Sequence, residues 1–184
     1  MCDSLKQIFI TFDLDYDEEY VMIPKVIEEL GNTPATFFLV GKFLKELPNL
    51  GIHELGNHTL NHKDWDIITE EEKLKDLKEF PFKTKVYRSP HLRYSEWVDT
   101  EMVKLGYQKE LPVSKCPFCN SYFSNHHFEQ GCVKGMEESF EELCKQDYVN
   151  IFLDPKRLKK GDITKLIKIA NGNCKRISEY QGGL

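Results

Sequence analysis

Two carboxylates and two histidines in this chain are spaced so that they could share one metal ion. Asp13 and Asp15 end the run Ile8-Phe9-Ile10-Thr11-Phe12, and His58 and His62 bracket Thr59-Leu60-Asn61. Residues two apart on a strand project to the same side, so both aspartates can face one cavity. Two like charges there push one carboxyl pKa upward unless a cation neutralises them. Histidines four apart lie on one face of a helical turn, so both rings can reach the same ion. Alone, such a pair is equally well read as surface histidines bonded to backbone carbonyls. Beside the aspartates it completes an open site, in which protein ligands leave a position for water or substrate.

The elements that must position these groups follow from composition and periodicity. Ile8–Phe12 reads as a strand buried on both faces. Asp17-Glu18-Glu19 opens a helix with apolar spacing through Val21, Ile23, Val26, Ile27 and Leu30, and Gly31-Asn32 stops it. Ala35–Val40 is a second buried strand, followed by Gly41 and a short helix, and Gly51–Gly56 is a short third strand delivering the histidines. Thr69-Glu70-Glu71-Glu72 has the form of a capping box for a helix over 71–80. Lys83–Tyr87 reads as a strand ending at Arg88-Ser89-Pro90-His91. Ser95 is placed to cap a helix running to about Leu105, with a strand over 106–111 after it. A helix over 136–145, a strand Tyr148–Leu153 ending at Asp154, a helix capped by Asp162 and a strand over 174–177 close the chain. Strands alternating with helices imply an α/β fold with a mostly parallel sheet, open or closed into a barrel. In such folds the chemistry sits at the C-terminal ends of strands, where Asp13, Asp15, Arg88 and Asp154 all fall.

The 184 residues are enough for a single domain, read here as 1–184 with an irregular Cys/His-rich insertion at about 112–135. A net charge of −5 with interspersed signs gives no basic stripe for nucleic acid. No window approaches the ~20 apolar residues a membrane helix requires, and the amino terminus enters a strand without a leader's apolar core. The expectation is therefore a cytoplasmic protein without membrane or nucleic-acid partners, its oligomeric state open. Its six cysteines should then be mostly thiols or metal ligands. Cys116-x-x-Cys119 with His126 (or His127) and Cys132 has the spacing of a second, structural zinc site; a redox pair or unbound thiols are the alternatives. Cys2, Cys144 and Cys174 read as buried thiols. Trp65, Trp97 and Tyr94 read as core or rim packing.

Taken together, the chain resembles the polysaccharide deacetylases, the carbohydrate esterase family 4 or NodB-homology group. Thr11-Phe12-Asp13-Leu14-Asp15 is similar to the family's Thr-Phe-Asp-Asp motif, with Leu14 inserted. Ala35-Thr36-Phe37-Phe38 followed by Gly41 resembles its second strand. His58-Thr59-Leu60-Asn61-His62 matches the His-Ser/Thr-x-x-His motif, and Arg88-Ser89-Pro90-His91 approximates Arg-x-Pro-Tyr/Phe. The resemblance implies a distorted (β/α) barrel of about seven parallel strands.

It also implies roles. Asp13 would be the general base, with Asp15, His58 and His62 holding a divalent metal; the Leu14 insertion leaves an exchange of the aspartate roles open. Zn²⁺ is the first expectation, while Co²⁺, Ni²⁺ and Fe²⁺ also suit the ligand set. Arg88 would orient Asp13 through a charge-assisted pair, and a backbone N–H near His91 would stabilise the oxyanion. The family's acid histidine after the last strand is replaced by Asp154, leaving Asp154, His91, His126 and His127 as candidates to protonate the leaving amine. The implied activity is metal-dependent hydrolysis of an amide C–N bond, foremost removal of acetyl from an N-acetylated sugar or glycoconjugate. An amidase or imidase on a non-sugar amide, or a metal- or sugar-binding pseudoenzyme, are the alternatives.

Overall fold

The structure is a computed structural model and describes residues 7–116, 118, 122, 124 and 136–181. Among these residues five strands form one sheet: β1 (Gln7–Leu14), β2 (Thr36–Leu39), β3 (Glu54–Asn57), β4 (Tyr148–Leu153) and β5 (Cys174–Lys175). The order is β3-β2-β1-β4, with β5 beside the start of β1, and every pairing is parallel. Two further positions are met by single parallel bridges, Asn57 to Tyr87 and Ser124 to Phe152. The sheet is not closed among the described residues, and its course is that of a distorted barrel. Among the described residues, six α-helices accompany it: α1 (Asp17–Tyr20), α2 (Ile23–Leu30), α3 (Glu70–Lys78), α4 (Glu96–Lys104), α5 (Met136–Leu143) and α6 (Asp162–Ala170). None of the described helices is long and apolar enough to cross a membrane.

β1 divides its side chains by parity, as a strand must. Ile8, Ile10, Phe12 and Leu14 pack outward into the large core with Ile23, Val26 and Leu30 of α2 and Ile163, Leu166 and Ala170 of α6. Phe9 points the other way, into a second cluster with Phe38, Val86, Leu111 and Ile177. Thr11 and Asp13 share its parity. That second face is where polar side chains are gathered. β4 repeats the pattern: Val149, Ile151 and Leu153 join the outer core, while Asn150 faces Arg88.

Several elements depart from the sequence expectation, each for a local reason. The segment expected as a strand over 83–87 pairs only at Tyr87, and 106–111 is irregular, joined to that segment by Gln108 N–H to Lys85 O at 2.9 Å. The stretch after Gly41 is a single 3₁₀ turn, Gly41–Phe43, wedged so tightly that a Cβ on Gly41 would meet Pro81 at 2.7 Å. Thr69 caps α3 with the expected box, and Ser95 accepts from Val98 N at 3.3 Å to start α4. Gly161, not Asp162, is the N-cap of α6; Asp162 instead accepts from Lys159 N at 2.8 Å.

Candidate active site

Asp13 closes the inner column of β1 and is 6% exposed, and Arg88 beside it is 1% exposed. Arg88 spends its fork inside the sheet: one nitrogen reaches Asp13 Oδ1 at 2.6 Å and Thr11 Oγ1 at 2.7 Å, and the other reaches Asn150 Oδ1 at 3.4 Å. Its guanidinium lies 4.2 Å over the Phe38 ring. A buried charge pair of this kind is tolerable only because both partners are also hydrogen-bonded. Phe38 needs space for this stack, and Gly56 supplies it, since a Cβ there would come within 2.3 Å of that ring.

The two histidines arrive by a route the spacing did not foretell. They sit in a loop after β3, not on a helical turn. Thr59 and His62 adopt left-handed φ values of 66° and 54°, each of which costs of order 1–3 kcal/mol for a residue with a side chain. The loop is held in this shape by Asn57 Oδ1 accepting from Thr59 N (2.8 Å) and Thr59 Oγ1 accepting from His62 N (2.9 Å). Asp76 of α3 supports it further, accepting from Asn61 Nδ2 at 2.6 Å.

Asp15 Oδ1 lies 3.1 Å from His58 Nε2 and 3.3 Å from His62 Nε2. The three donor atoms fall within 4.8 Å of one another. His58 Nδ1–H donates to the Arg88 carbonyl at 2.9 Å, which leaves the Nε2 of the neutral ring as a bare lone pair. Asp15 Oδ1 and His62 Nε2 are buried without a hydrogen-bond partner. Three electron-rich atoms thus converge, an arrangement that calls for a cation among them. Without one, a proton on an imidazole fills the same need. Burial pushes Asp15 up, but the close approach and charges of His58 and His62 outweigh it and hold the carboxyl well below the usual range. Burial likewise pushes His58 down, but Asp13, Asp15 and the Arg88 carbonyl raise it overall. The residues therefore fit a divalent metal held by Asp15, His58 and His62.

The chain matches the polysaccharide deacetylase family model over residues 2–109. It belongs to the polysaccharide deacetylase family. It is 33% identical over 120 residues to the peptidoglycan-N-acetylmuramic acid deacetylase PdaA of Bacillus subtilis, a match covering 56% of this chain and 45% of that protein. It is 34% identical over 74 residues to a peptidoglycan-N-acetylglucosamine deacetylase of Bacillus cereus, covering 36% and 26%. The chain thus matches less than half the length of these curated relatives. Among solved structures, a peptidoglycan N-acetylglucosamine deacetylase in complex with an N-hydroxybenzamide superposes with a TM-score of 0.64 at 18% identity, covering 98% of this chain and 91% of that one. A family 4 carbohydrate esterase pseudoenzyme from Bacillus anthracis gives 0.62 at 15% identity, covering 95% and 64%. These likenesses place the fold in the deacetylase family.

The remaining sequence-predicted residues divide. Asp154 lies at the end of β4, where it accepts from Lys156 N at 2.9 Å and pairs with Arg157 Nε at 3.3 Å. The His91 ring stands 4.8 Å from that of His62, on a turn where His91 and Leu92 are both left-handed. Cys2, Cys119, His126, His127 and Cys132 lie outside the described residues. Cys116 is buried, its thiol 3.6 Å from Ser139 Oγ. Cys144 is disulfide-bonded, which corrects its reading as a thiol and is a bond typical of oxidising surroundings. Cys174 is a buried thiol pushed up to about 12 by desolvation.

Sequence reasoning missed Thr11, Asn150 and Glu19. Glu19 is 2% exposed and accepts from the N–H of Asp15 (2.6 Å) and of Tyr16 (3.1 Å), fixing the backbone of a metal-facing residue. Asn150 could have been found: it is the one amide in the otherwise apolar run Val149–Leu153.

Proposed function

We propose that this protein is a metal-dependent N-deacetylase acting on an N-acetylated sugar or glycoconjugate. The observation that carries the reading is the convergence of Asp15, His58 and His62 in front of the Asp13–Arg88 pair. A divalent ion held there would polarise the acyl oxygen and lower the pKa of a water. Arg88 occupies Asp13 Oδ1 and leaves Oδ2 toward the ligand cluster, 3.9 Å from His58 Nε2. Asp13 is thereby positioned to take a proton from the attacking water at Oδ2. The His58 Nδ1–H bond to Arg88 O keeps the ring in the tautomer that presents Nε2 inward. A backbone N–H of the His91 turn is assigned to the acyl oxygen. Asp13, holding the proton it has taken, is assigned its return to the leaving nitrogen, while Asp154 accepts from Lys156 N and pairs with Arg157.

The sugar-amide substrate is supported by family membership and by the named activities of the B. subtilis and B. cereus relatives. The test is acetate release from N-acetylglucosamine oligomers by Zn²⁺- or Co²⁺-loaded protein, with acetylated xylan as the ester control. Release from the first and its loss in Asp13→Asn would support the reading. A metal-loaded wild type that liberates no acetate from either would overturn it. That result would favour the second reading, a metal- or sugar-binding pseudoenzyme, which the absence of a histidine at the end of β4 supports.

A further inference from the structure

Glu110 has no part in the chemistry above, yet it is 8% exposed and sits against the site. Its Oε1 accepts both the N–H and the hydroxyl of Ser89, at 2.9 and 2.8 Å, while Oε2 is buried without a hydrogen-bond partner. Its own N–H donates to Asp99 Oδ1 at 2.8 Å, an oxygen that also accepts the Tyr87 hydroxyl at 2.7 Å. The carboxylate is therefore anchored from behind and grips forward.

What it grips is the joint of the site. Ser89 is fully buried. On one side of it Arg88 sends its guanidinium to Asp13 and its carbonyl to His58. On the other the backbone enters the left-handed pair His91 and Leu92. An apolar side chain here would strand the buried N–H and hydroxyl of Ser89, whereas the carboxylate satisfies both through Oε1 while leaving Oε2 unpaired. Local cost retained beside a site points to a positioning task.

We propose that Glu110 is a positioning residue: its double hold on Ser89 fixes the peptide that aims Arg88 at Asp13 and sets the ring of His58. The kinetic consequence rests on the deacetylase reading; the metal-binding consequence does not. Burial pushes Glu110 up to about 7 against the bonds from Ser89 and the charges of Arg88 and His58. Asp99, Tyr87 and Tyr94 are the other titratable groups facing it. Its grip on Ser89 thus tightens as it ionises across neutral pH.

The test is Co²⁺ titration followed by visible absorbance, with steady-state kinetics, on Glu110→Ala, Glu110→Gln and Ser89→Ala. Glu110→Ala should weaken Co²⁺ binding about 10-fold and lower kcat by about 10–100-fold with KM within about threefold. Glu110→Gln keeps an acceptor oxygen and should restore Co²⁺ affinity and kcat to within about threefold of wild type, while flattening the pH profile near 7. A folded Glu110→Ala with wild-type Co²⁺ affinity, or a Glu110→Gln as impaired as the alanine, would overturn the proposal. If Glu110→Ala does not fold, Ser89→Ala removes only the hydroxyl bond and decides: weaker Co²⁺ binding supports the proposal, unchanged binding overturns it. Should the wild type bind Co²⁺ yet release no acetate, the deacetylase reading fails by itself and the affinity comparison still decides the role of Glu110.

Discussion

β1 and β4 reach the same rim of the sheet, each brings an aspartate there, and the two aspartates have different fates. The strands run level to Phe12 beside Leu153, and Asp13 and Asp154 come next. Asp13 meets Arg88, whose side chain is 1% exposed. Asp154 meets Arg157, whose side chain is 68% exposed, and turns into a 3₁₀ cap. Parallel topology delivers a side chain to the rim. Whether it joins a site depends on a buried partner waiting on the inner face.

The widest break in this comparison comes from the metal ligands. His58→Ala combined with His62→Ala should abolish divalent metal binding, read as metal content of purified protein, and with it all acetate release. Asp13→Asn should keep the metal and lose ~10²–10⁴ in kcat. Arg88→Ala strips the partner from a buried carboxylate and should destabilise the fold by ~3–5 kcal/mol in denaturant unfolding. Arg88→Lys should not rescue it, because an ammonium cannot serve Asp13, Thr11 and Asn150 with one planar fork. A fully stable Arg88→Ala would show that the inner rim does not depend on this pair.

Much of that inner rim could be read in the sequence because its signals are local. An apolar strand that stops at Asp13-Leu14-Asp15, a His-x-x-x-His segment and Arg88-x-Pro90 each carry their meaning within a few residues. β1 and β4 were equally readable as buried strands from their continuous apolar runs, though which side chains face the outer core was not. What could not be read depends on side chains far apart in the chain. The histidines converge through left-handed Thr59 and His62, held by Asn57, and spacing alone suggested a helix. Arg88 depends on Asn150, 62 residues away. Glu110 lies in a segment whose strand propensity is overridden because Asp99 and Ser89 claim its polar groups. The last strand of the expected barrel motif was located correctly, but its terminal Asp154 belongs to the turn that follows it.

The buried rim should also titrate where the outer one does not. His58 is raised in the metal-free protein, so its protonation adds stability that is complete below about pH 6.5 and is lost as pH rises through the folded value. Metal uptake must displace that proton. Zn²⁺ titration near neutral pH should therefore release protons, and apparent affinity should climb with pH; the His58→Ala variant should lose this release. Glu110, raised from 4.5 to about 7, likewise favours the fold below its unfolded value, and the benefit fades up to about pH 7. By pH 8 that loss amounts to up to roughly 3 kcal/mol. Glu110→Gln should accordingly raise Tm at pH 8 and change it little at pH 4.

The smallest effect belongs to the outer rim, and it sharpens the comparison most directly. If Asp154 were the proton donor, Asp154→Asn should cost kcat as heavily as the loss of a catalytic acid does, ~10²-fold or more. Its contacts argue otherwise. One oxygen accepts from Lys156 N and the other pairs with an exposed guanidinium, so the side chain holds the turn behind it. Asparagine retains the cap and forfeits the ion pair with the exposed Arg157, worth about 0–1 kcal/mol. The expected result is a Tm within a few degrees of wild type and kcat within about threefold. A hundredfold fall in kcat with the fold intact would instead put Asp154 into the chemistry and remove the proton-return role from Asp13.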